Sequence, residues 1–241
     1  MKDLHSHIMY GIDDGAKTKE ESIALLTNAY QNGITDIVFT PHYIKDSIYN
    51  ADNQEKTKIL LQLEKELSAR NININLYLGN EVYIDENLVS LYKEKYISTI
   101  NHSRYILIEL PLNTKFSLLD DVIQNLRENE LIPIIAHPER YHTYYKDFDF
   151  FAQLLQKGCL LQGNIGSLYG KYGTKSKKML KELLKRKMIH FLASDIHHYD
   201  ANIYKKNINK DLLKIVKKDQ IVDDLLINNF DKVINNEDIN E

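Results

Sequence analysis

The sequence predicts an α/β fold in a single domain, residues 1–241, with extra helices at its C-terminal end. Two observations carry that expectation. Short apolar runs rich in Ile, Leu and Val alternate with longer amphipathic segments rich in Lys and Glu, the pattern of strands alternating with helices. The 241 residues, 43% apolar and 27% charged, suffice for one large core and lie within the size range of a single α/β barrel.

Taken in order, the apolar runs predict seven strands: Lys2 to His5, Thr35 to Thr40, Ile74 to Gly79, Arg104 to Leu110, Leu131 to Ala136, Cys159 to Asn164 and Met188 to Ser194. Helical spacing predicts helices over Lys19 to Asn32, Asn53 to Arg70, Phe116 to Asn129, Phe148 to Lys157 and Lys175 to Lys187. In the last of these Met179, Leu180, Leu183 and Leu184 fall on one face, while Lys177, Lys178, Lys181 and Lys185 face away as a solvated surface. The core then spans about residues 2–198. From about 207 to 234 the apolar residues Leu212, Leu213, Ile215, Val216, Ile221, Val222, Leu225 and Leu226 predict helices packed outside the barrel, and Asn235 to Glu241 reads as a fraying end. There is no Pro/Gly/Ser-rich linker and no repeat at solenoid period.

Composition narrows the function. A formal charge of −3 gives no broad attraction for nucleic acid or an anionic membrane, so neither is an expected partner. The start, Met1-Lys2-Asp3-Leu4-His5, lacks the apolar core of a signal peptide, and no stretch nears the roughly 18 apolar residues of a membrane span, so the expected compartment is the cytoplasm. Cys159 is the only cysteine, which excludes an intramolecular disulfide.

Chemistry gathers at the predicted strand ends. Almost every strand closes on a residue able to bind a divalent metal: His5 and His7, His42, Glu81, Glu109, His137, and Asp195 with His197. With Asn164 included, positions 5, 42, 81, 109, 137, 164 and 195 lie 37, 39, 28, 28, 27 and 31 residues apart, each step close to one strand, helix and loop. In a β/α barrel the strand C-termini open on one face, so these residues converge there. Asp14, in the loop after the first strand, completes five histidines and four carboxylates. Imidazole and carboxylate without thiolate suit manganese, iron or zinc in a hydrolytic centre better than a structural zinc site. Three divalent ions would outweigh Asp14, Glu81, Glu109 and Asp195 and leave positive charge for a phosphate dianion.

The motifs His5-Ser6-His7, Gly11-Ile12-Asp13-Asp14-Gly15, Thr40-Pro41-His42, Gly79-Asn80-Glu81, Ile108-Glu109, Ala136-His137-Pro138-Glu139-Arg140 and Ala193-Ser194-Asp195-Ile196-His197 resemble the successive motifs of the PHP superfamily of metal-dependent phosphoesterases. They are most similar to its bacterial manganese-dependent protein-tyrosine phosphatase branch of capsule and exopolysaccharide loci, and the likeness runs in order from residue 2 to about 198. The resemblance implies a distorted seven-stranded (β/α) barrel of the PHP type with a trinuclear centre, Mn²⁺ first and iron or zinc as alternatives. By position, His5, His7, Glu81 and Asp195 would hold one ion, Glu81, Glu109 and His137 a second, and Asp14, His42 and His197 a third, with Glu81 bridging. It further implies phosphotyrosine hydrolysis by a hydroxide shared between metals, with Arg140 on the phosphate and His42 or His197 as proton donor to the leaving oxygen. The substrate would be a phosphotyrosine protein of a polysaccharide synthesis or export system, such as a bacterial tyrosine kinase.

The chain departs from that branch after Asp195-Ile196-His197. Where a second phosphate-contacting arginine often follows, it reads His198-Tyr199-Asp200-Ala201-Asn202-Ile203-Tyr204, with Lys205 and Lys206 next as point-charge substitutes. A small-molecule PHP phosphatase, such as one for histidinol phosphate, shares the metal set and is the enzymatic alternative; a PHP domain kept as a scaffold is the non-enzymatic one. Glu20-Glu21-Ser22 resembles a segment through which some family members assemble, so a homo-oligomer is among the expected partners.

Other residues read more plainly. Cys159 has Ile165, not arginine, six positions on, and reads as an ordinary buried thiol. His190 reads as a core or pore-lining side chain, His102 and His142 as loop residues, and His198 stays open between substrate, metal and neither. Tyr141, Tyr144, Tyr145, Tyr169, Tyr172, Tyr199 and Tyr204 fit equally an aromatic rim for a phosphotyrosine ring or ordinary packing. Gly163-Asn164-Ile165-Gly166-Ser167 fits either close backbone approach to a ligand or a turn.

Overall fold

The computed structural model describes residues 1–200, 203–204 and 207–239. Among them are nine strands, all paired in parallel: β1 (Lys2–Ser6), β2 (Asp36–Phe39), β3 (His42–Tyr43), β4 (Asn75–Leu78), β5 (Glu81–Tyr83), β6 (Tyr105–Glu109), β7 (Ile132–Ala136), β8 (Leu160–Asn164) and β9 (Phe191–Ala193). They form a three-stranded sheet in the order β1-β2-β4 and a six-stranded sheet in the order β3-β5-β6-β7-β8-β9.

The α/β class with parallel strands is therefore as the sequence predicts, whereas the count of seven strands in one sheet is not. Two of the expected runs break and resume. After Phe39 comes Thr40-Pro41, and proline has no N–H for a ladder; after Leu78 comes Gly79-Asn80. The bonds that cross these breaks are local: Thr40 N–H to the Ser6 carbonyl at 2.9 Å, Gly79 N–H to Phe39 at 2.9 Å and Glu81 N–H to Pro41 at 3.1 Å. On the other side, a single parallel bridge joins Ser6 to Ile196, flanked by Asp195 N–H to His5 O and His7 N–H to Ile196 O, both 2.9 Å.

Strands β6 and β7 are buried along almost their whole length, which explains their unbroken apolar runs: helices cover one side and the other faces the interior. Helix Lys19–Gln31 starts at Thr18, whose hydroxyl accepts from Glu21 N–H, and helix Asn53–Ala69 starts at Asp52, whose carboxylate accepts from Glu55 N–H at 2.8 Å. Helix Leu119–Glu128 is shorter than predicted, Phe148–Gln156 follows its Asp147 cap, and Gly173–Lys185 begins two residues early. Short helices at Leu88–Lys93 and Ile165–Tyr169 lie outside the predicted set.

The C-terminal segment folds as Ile208–Val216, Asp219–Asp223, a π-helical turn at Asp224–Asn228 and Asn229–Ile234. It packs beneath the strand N-termini, where Asp231 pairs with Lys2, Asn229 donates to the His190 carbonyl at 2.9 Å and Tyr105 donates to the Glu237 carbonyl at 2.6 Å. The opposite, C-terminal strand ends stay free for chemistry. Asp3 fastens the first strand to the segment after the last: it is fully buried and accepts from Ser194 N–H at 2.9 Å, Ser194 Oγ at 2.5 Å and Tyr204 Oη at 2.7 Å. No helix among the described residues is long and apolar enough to cross a membrane.

Candidate metal centre

Alternation along a strand puts His5 and His7 on one face of β1 and its extension. Glu109 closes β6, His137 follows β7, and Asp195 and His197 follow β9. His42 and Glu81 open β3 and β5 instead of ending strands, since the breaks at Pro41 and Asn80 fall just before them. Two of these residues sit in left-handed backbone conformation, His137 at φ 33° and Asp195 at φ 51°, a conformation that carries some steric cost for a residue with a Cβ. Asp14 rides on a loop folded tightly against β1. Ala16 N–H donates to His7 O at 3.1 Å and Gly15 N–H to Asp13 Oδ1 at 2.9 Å. A Cβ on Gly15 would lie 1.9 Å from the His7 carbonyl oxygen, so only glycine fits.

Nitrogen and oxygen donors converge in three adjoining groups among the described residues: His5, His7, Glu81 and Asp195; His42, Glu81 and Glu109; and His7, Asp14, His42 and His197. In the first, the Nε2 atoms of His5 and His7 each lie 3.2 Å from Glu81 Oε2 and 3.5 Å from Asp195 Oδ1. In the second, His42 Nδ1 is 3.1 Å from Glu81 Oε2 and 3.9 Å from Glu109 Oε2. In the third, Asp14 Oδ1 is 3.5 Å from His42 Nε2 and 3.4 Å from His197 Nε2. Glu81 is shared, as is His7. His137 falls outside all three groups but borders them, its Nε2 3.0 Å from Glu81 Oε1 and 3.7 Å from Glu109 Oε1. Exposure rises outward, from near zero at His5, His7, Glu81 and Asp195 to 12% at His42, 23% at His197 and 47% at Asp14, so the third group forms the mouth.

The residues fit divalent metal. Asp14 Oδ1, His42 Nδ1, Glu81 Oε2 and Asp195 Oδ1 are buried, face into the groups and have no hydrogen-bond partner; orphaned buried acceptors are costly unless a cation takes them. The charges agree. Burial and the neighbouring Glu81 push the Glu109 carboxyl up to about 8, the sign of two carboxylates too close to ionise together. Burial disfavours a charged His5, yet Glu81 and Asp195 hold its pKa at about 9, so the carboxylates draw positive charge onto the ring. With no thiolate in the set, the donors suit manganese, iron or zinc.

Several surrounding residues escaped the sequence reading. Buried Asp13 accepts from His7 Nδ1 at 2.7 Å and from His42 N–H at 3.1 Å, the outer-shell carboxylate that orients a metal-binding imidazole. Lys56 lies fully buried on a helix otherwise rich in exposed charge. Its Nζ donates to Asn80 Oδ1 and to Ser98 Oγ at 2.8 Å, bracing the turn before Glu81, and burial lowers its pKa to about 7. Gln162 on β8 pairs with His5 Nδ1 at 2.8 Å. The sequence carried no clear signal for any of the three, although Gln162 shares its strand face with Asn164.

Arg140 reaches the first group, donating from NH1 to Asp195 Oδ2 at 2.9 Å with its side chain 23% exposed. Lys205 and Lys206 lie outside the described residues. Of the tyrosines, Tyr172 touches the site, its hydroxyl 3.4 Å from Asp195 Oδ2. Tyr141, Tyr144 and Tyr204 are buried packing residues; Tyr141 accepts from Leu110 N–H and donates to the Ala136 carbonyl. At Gly163 a Cβ would lie 2.5 Å from Leu180 Cδ1, so helix packing accounts for that glycine. Cys159 is buried and burial pushes its thiol up to about 12, far from a nucleophile. His198 is exposed, its ring 6.4 Å from that of His197.

The family described as "Capsular polysaccharide synthesis, CpsB/CapC" matches residues 1–235 of this chain. CapC of Staphylococcus aureus is 37% identical over 198 residues, 82% of this chain and 77% of that protein. Tyrosine-protein phosphatase CpsB of Streptococcus pneumoniae is 31% identical over 206 residues, 83% of this chain and 84% of its own length. Among solved structures, one from the work on YwqE of Bacillus subtilis and CpsB of Streptococcus pneumoniae, called there unique metal-dependent tyrosine phosphatases, superposes with a TM-score of 0.92 at 28% identity, over 100% of this chain and 96% of that one. Histidinol phosphate phosphatase from Lactococcus lactis superposes with a TM-score of 0.58 at 16% identity, over 91% of this chain and 94% of that one, a likeness of fold alone.

Proposed function

Because this chain belongs to the CpsB/CapC family of capsular polysaccharide synthesis, we propose that it is a metal-dependent tyrosine phosphatase that hydrolyses phosphotyrosine on a protein of a bacterial polysaccharide system, such as a tyrosine kinase. The observation that carries the reading is the set of three adjoining nitrogen and oxygen groups joined through Glu81 and His7. Three ions, Mn²⁺ first, would be held by His5, His7, Glu81 and Asp195, by Glu81, Glu109 and His42 with His137 alongside, and by Asp14, His42 and His197 with His7 alongside. When bound, divalent ions lower the pKa of water and neutralise charge on the phosphoryl oxygens. We read the two sheets as staves of one distorted barrel, supported by the backbone bonds that span the breaks and the Ser6–Ile196 bridge.

The chain's own residues then divide the work. Arg140 offers a planar fork to the phosphate at the edge of the first group, where Asp195 fixes one of its nitrogens. The buried first group keeps bulk water from the reacting phosphorus. His197, at the mouth and more exposed than His42, holds a proton on Nδ1 toward the Asp195 carbonyl. It therefore serves as proton donor to the leaving phenolate oxygen through Nε2 only as the imidazolium and only in a state where it does not hold the third ion. No serine or cysteine nucleophile is needed, in keeping with the inert Cys159 thiol.

The test is turnover of a phosphotyrosine peptide by metal-stripped protein with Mn²⁺ restored, beside His5→Ala/His7→Ala and with histidinol phosphate as a second substrate. Activity on the peptide that returns with Mn²⁺ and is lost in the variant supports the reading. Turnover of histidinol phosphate alone would move it to small-molecule phosphatases, and silence on both substrates would leave a scaffold.

A further inference from the structure

Strand β8 contributes no member to the three donor groups, yet two of its side chains, Gln162 and Asn164, are fully buried against the first. Their amide directions follow from hydrogen bonding alone. Gln162 Nε2 lies 2.8 Å from the Gly163 carbonyl oxygen and 2.9 Å from Asn164 Oδ1. A backbone carbonyl only accepts, so the nitrogen of Gln162 must be the atom facing it. Gln162 Oε1 therefore faces His5 Nδ1 at 2.8 Å. Because that oxygen only accepts, His5 Nδ1 carries a proton, so Nε2, which faces Glu81 and Asp195, is the atom left to ligate an ion. The same relay runs the other way. Asn164 Oδ1 accepts from Gln162, so Asn164 Nδ2 donates, at 2.5 Å, to Asp195 Oδ2. Arg140 donates to that same oxygen, while Asp195 Oδ1 is left without a hydrogen-bond partner and faces His5 and His7.

We propose that Gln162 and Asn164 are positioning residues of the His5–Asp195 metal site: starting from the Gly163 carbonyl, they fix the His5 tautomer and commit one oxygen of Asp195 to protein so that the other is free for the ion. The inference rests on the metal-centre reading above. Outer-shell partners of this kind are worth roughly 10- to 100-fold in metal affinity.

Two measurements test it. Calorimetric titration of metal-stripped protein with Mn²⁺ should show a site lost in His5→Ala and weakened about 10- to 100-fold in Gln162→Met, with the remaining sites unchanged. Gln162→Glu keeps an acceptor for His5 Nδ1 but loses the donor to the Gly163 carbonyl and Asn164 Oδ1, so it should retain more of that site's affinity than Gln162→Met without reaching that of the wild type. In the protein loaded with diamagnetic Zn²⁺, nitrogen-15 NMR of the imidazoles should find His5 protonated at Nδ1 and metallated through Nε2. Wild-type affinity in Gln162→Met, or His5 bound through Nδ1, would overturn the positioning role. The NMR arm needs no variant and so stands even where Gln162→Met fails to fold. Absence of Mn²⁺ binding by the wild type would instead overturn the metal-centre reading itself.

Discussion

The guanidinium of Arg140 lies 4.5 Å from the centre of the Tyr172 ring while its NH1 donates to Asp195 at 2.9 Å. An aromatic face and a carboxylate thus hold one cation from two sides, which fixes the fork. A lysine ammonium has donors enough but no planar fork, so it cannot present two parallel N–H groups to the phosphate while held by Asp195. Arg140→Lys is expected to lower kcat/KM for a phosphotyrosine peptide about 10- to 100-fold, the range for losing a charge-assisted hydrogen bond. Tyr172→Leu, which removes the platform but no charge, is expected to raise KM more than it lowers kcat. Steady-state kinetics with unchanged Mn²⁺ stoichiometry would check both, and a Tyr172→Leu enzyme with wild-type KM would refute the platform role.

Gly15 holds the Asp14 loop against the His7 carbonyl at a distance no Cβ tolerates. Gly15→Ala must push the loop off β1 and carry Asp14 with it. The expected result is loss of the outermost Mn²⁺ from the titration and a lower melting temperature, by about 2–4 °C for each 1 kcal/mol lost. An alanine variant that melts and binds metal like wild type would show that the loop is free to shift.

His190 sits on the other side of the molecule, where its Nδ1 accepts from Leu161 N–H at 3.2 Å and burial lowers its pKa to about 4. The folded pKa is below the unfolded value near 6.5. Above that value both states are neutral and the ring contributes no pH dependence. As pH falls from about 6.5 to about 4 the unfolded chain gains a proton that the folded ring refuses, so stability falls, by on the order of 3 kcal/mol in all. His190→Asn keeps a short acceptor but does not titrate there. Urea unfolding of both proteins at pH 7 and pH 4.5 should therefore show a smaller acid loss in the variant; equal losses would mean that His190 is protonated in the fold.

Cys159 should be chemically silent. With its thiol buried and its pKa near 12, it is expected to resist alkylation in the native protein and to react only on unfolding. Cys159→Ala should keep full phosphatase activity at a stability cost of about 1 kcal/mol. Loss of activity in a folded Cys159→Ala protein would contradict a cysteine-independent mechanism.

What the sequence made legible follows from the chemistry of its signals. A histidine or carboxylate closing an apolar run is conspicuous, so the positions the structure gathers around Glu81 could be read one by one. The α/β class was equally open, since β6 and β7 are nearly pure apolar runs. The breaks after Phe39 and Leu78 were not read, although Pro41 and Gly79 were in view, because period and composition do not say whether a strand ends or pauses. Buried Lys56 was hidden by its own helix, where a lysine is the expected solvent-facing residue. Gln162 was hidden because an amide is weak as a metal ligand, and its contribution depends on a neighbour 157 residues away.

The contact between β1 and the segment after β9 also governs when the centre can exist. Asp3 precedes Ser194, which clasps it, by 191 residues, and His5 is separated almost as far from Asp195, its companion in the first group. Pairings this distant in sequence close late and slowly. A chain cut before Ser194 therefore carries metal-seeking histidines but no complete centre, since Asp195 and His197 are missing from it.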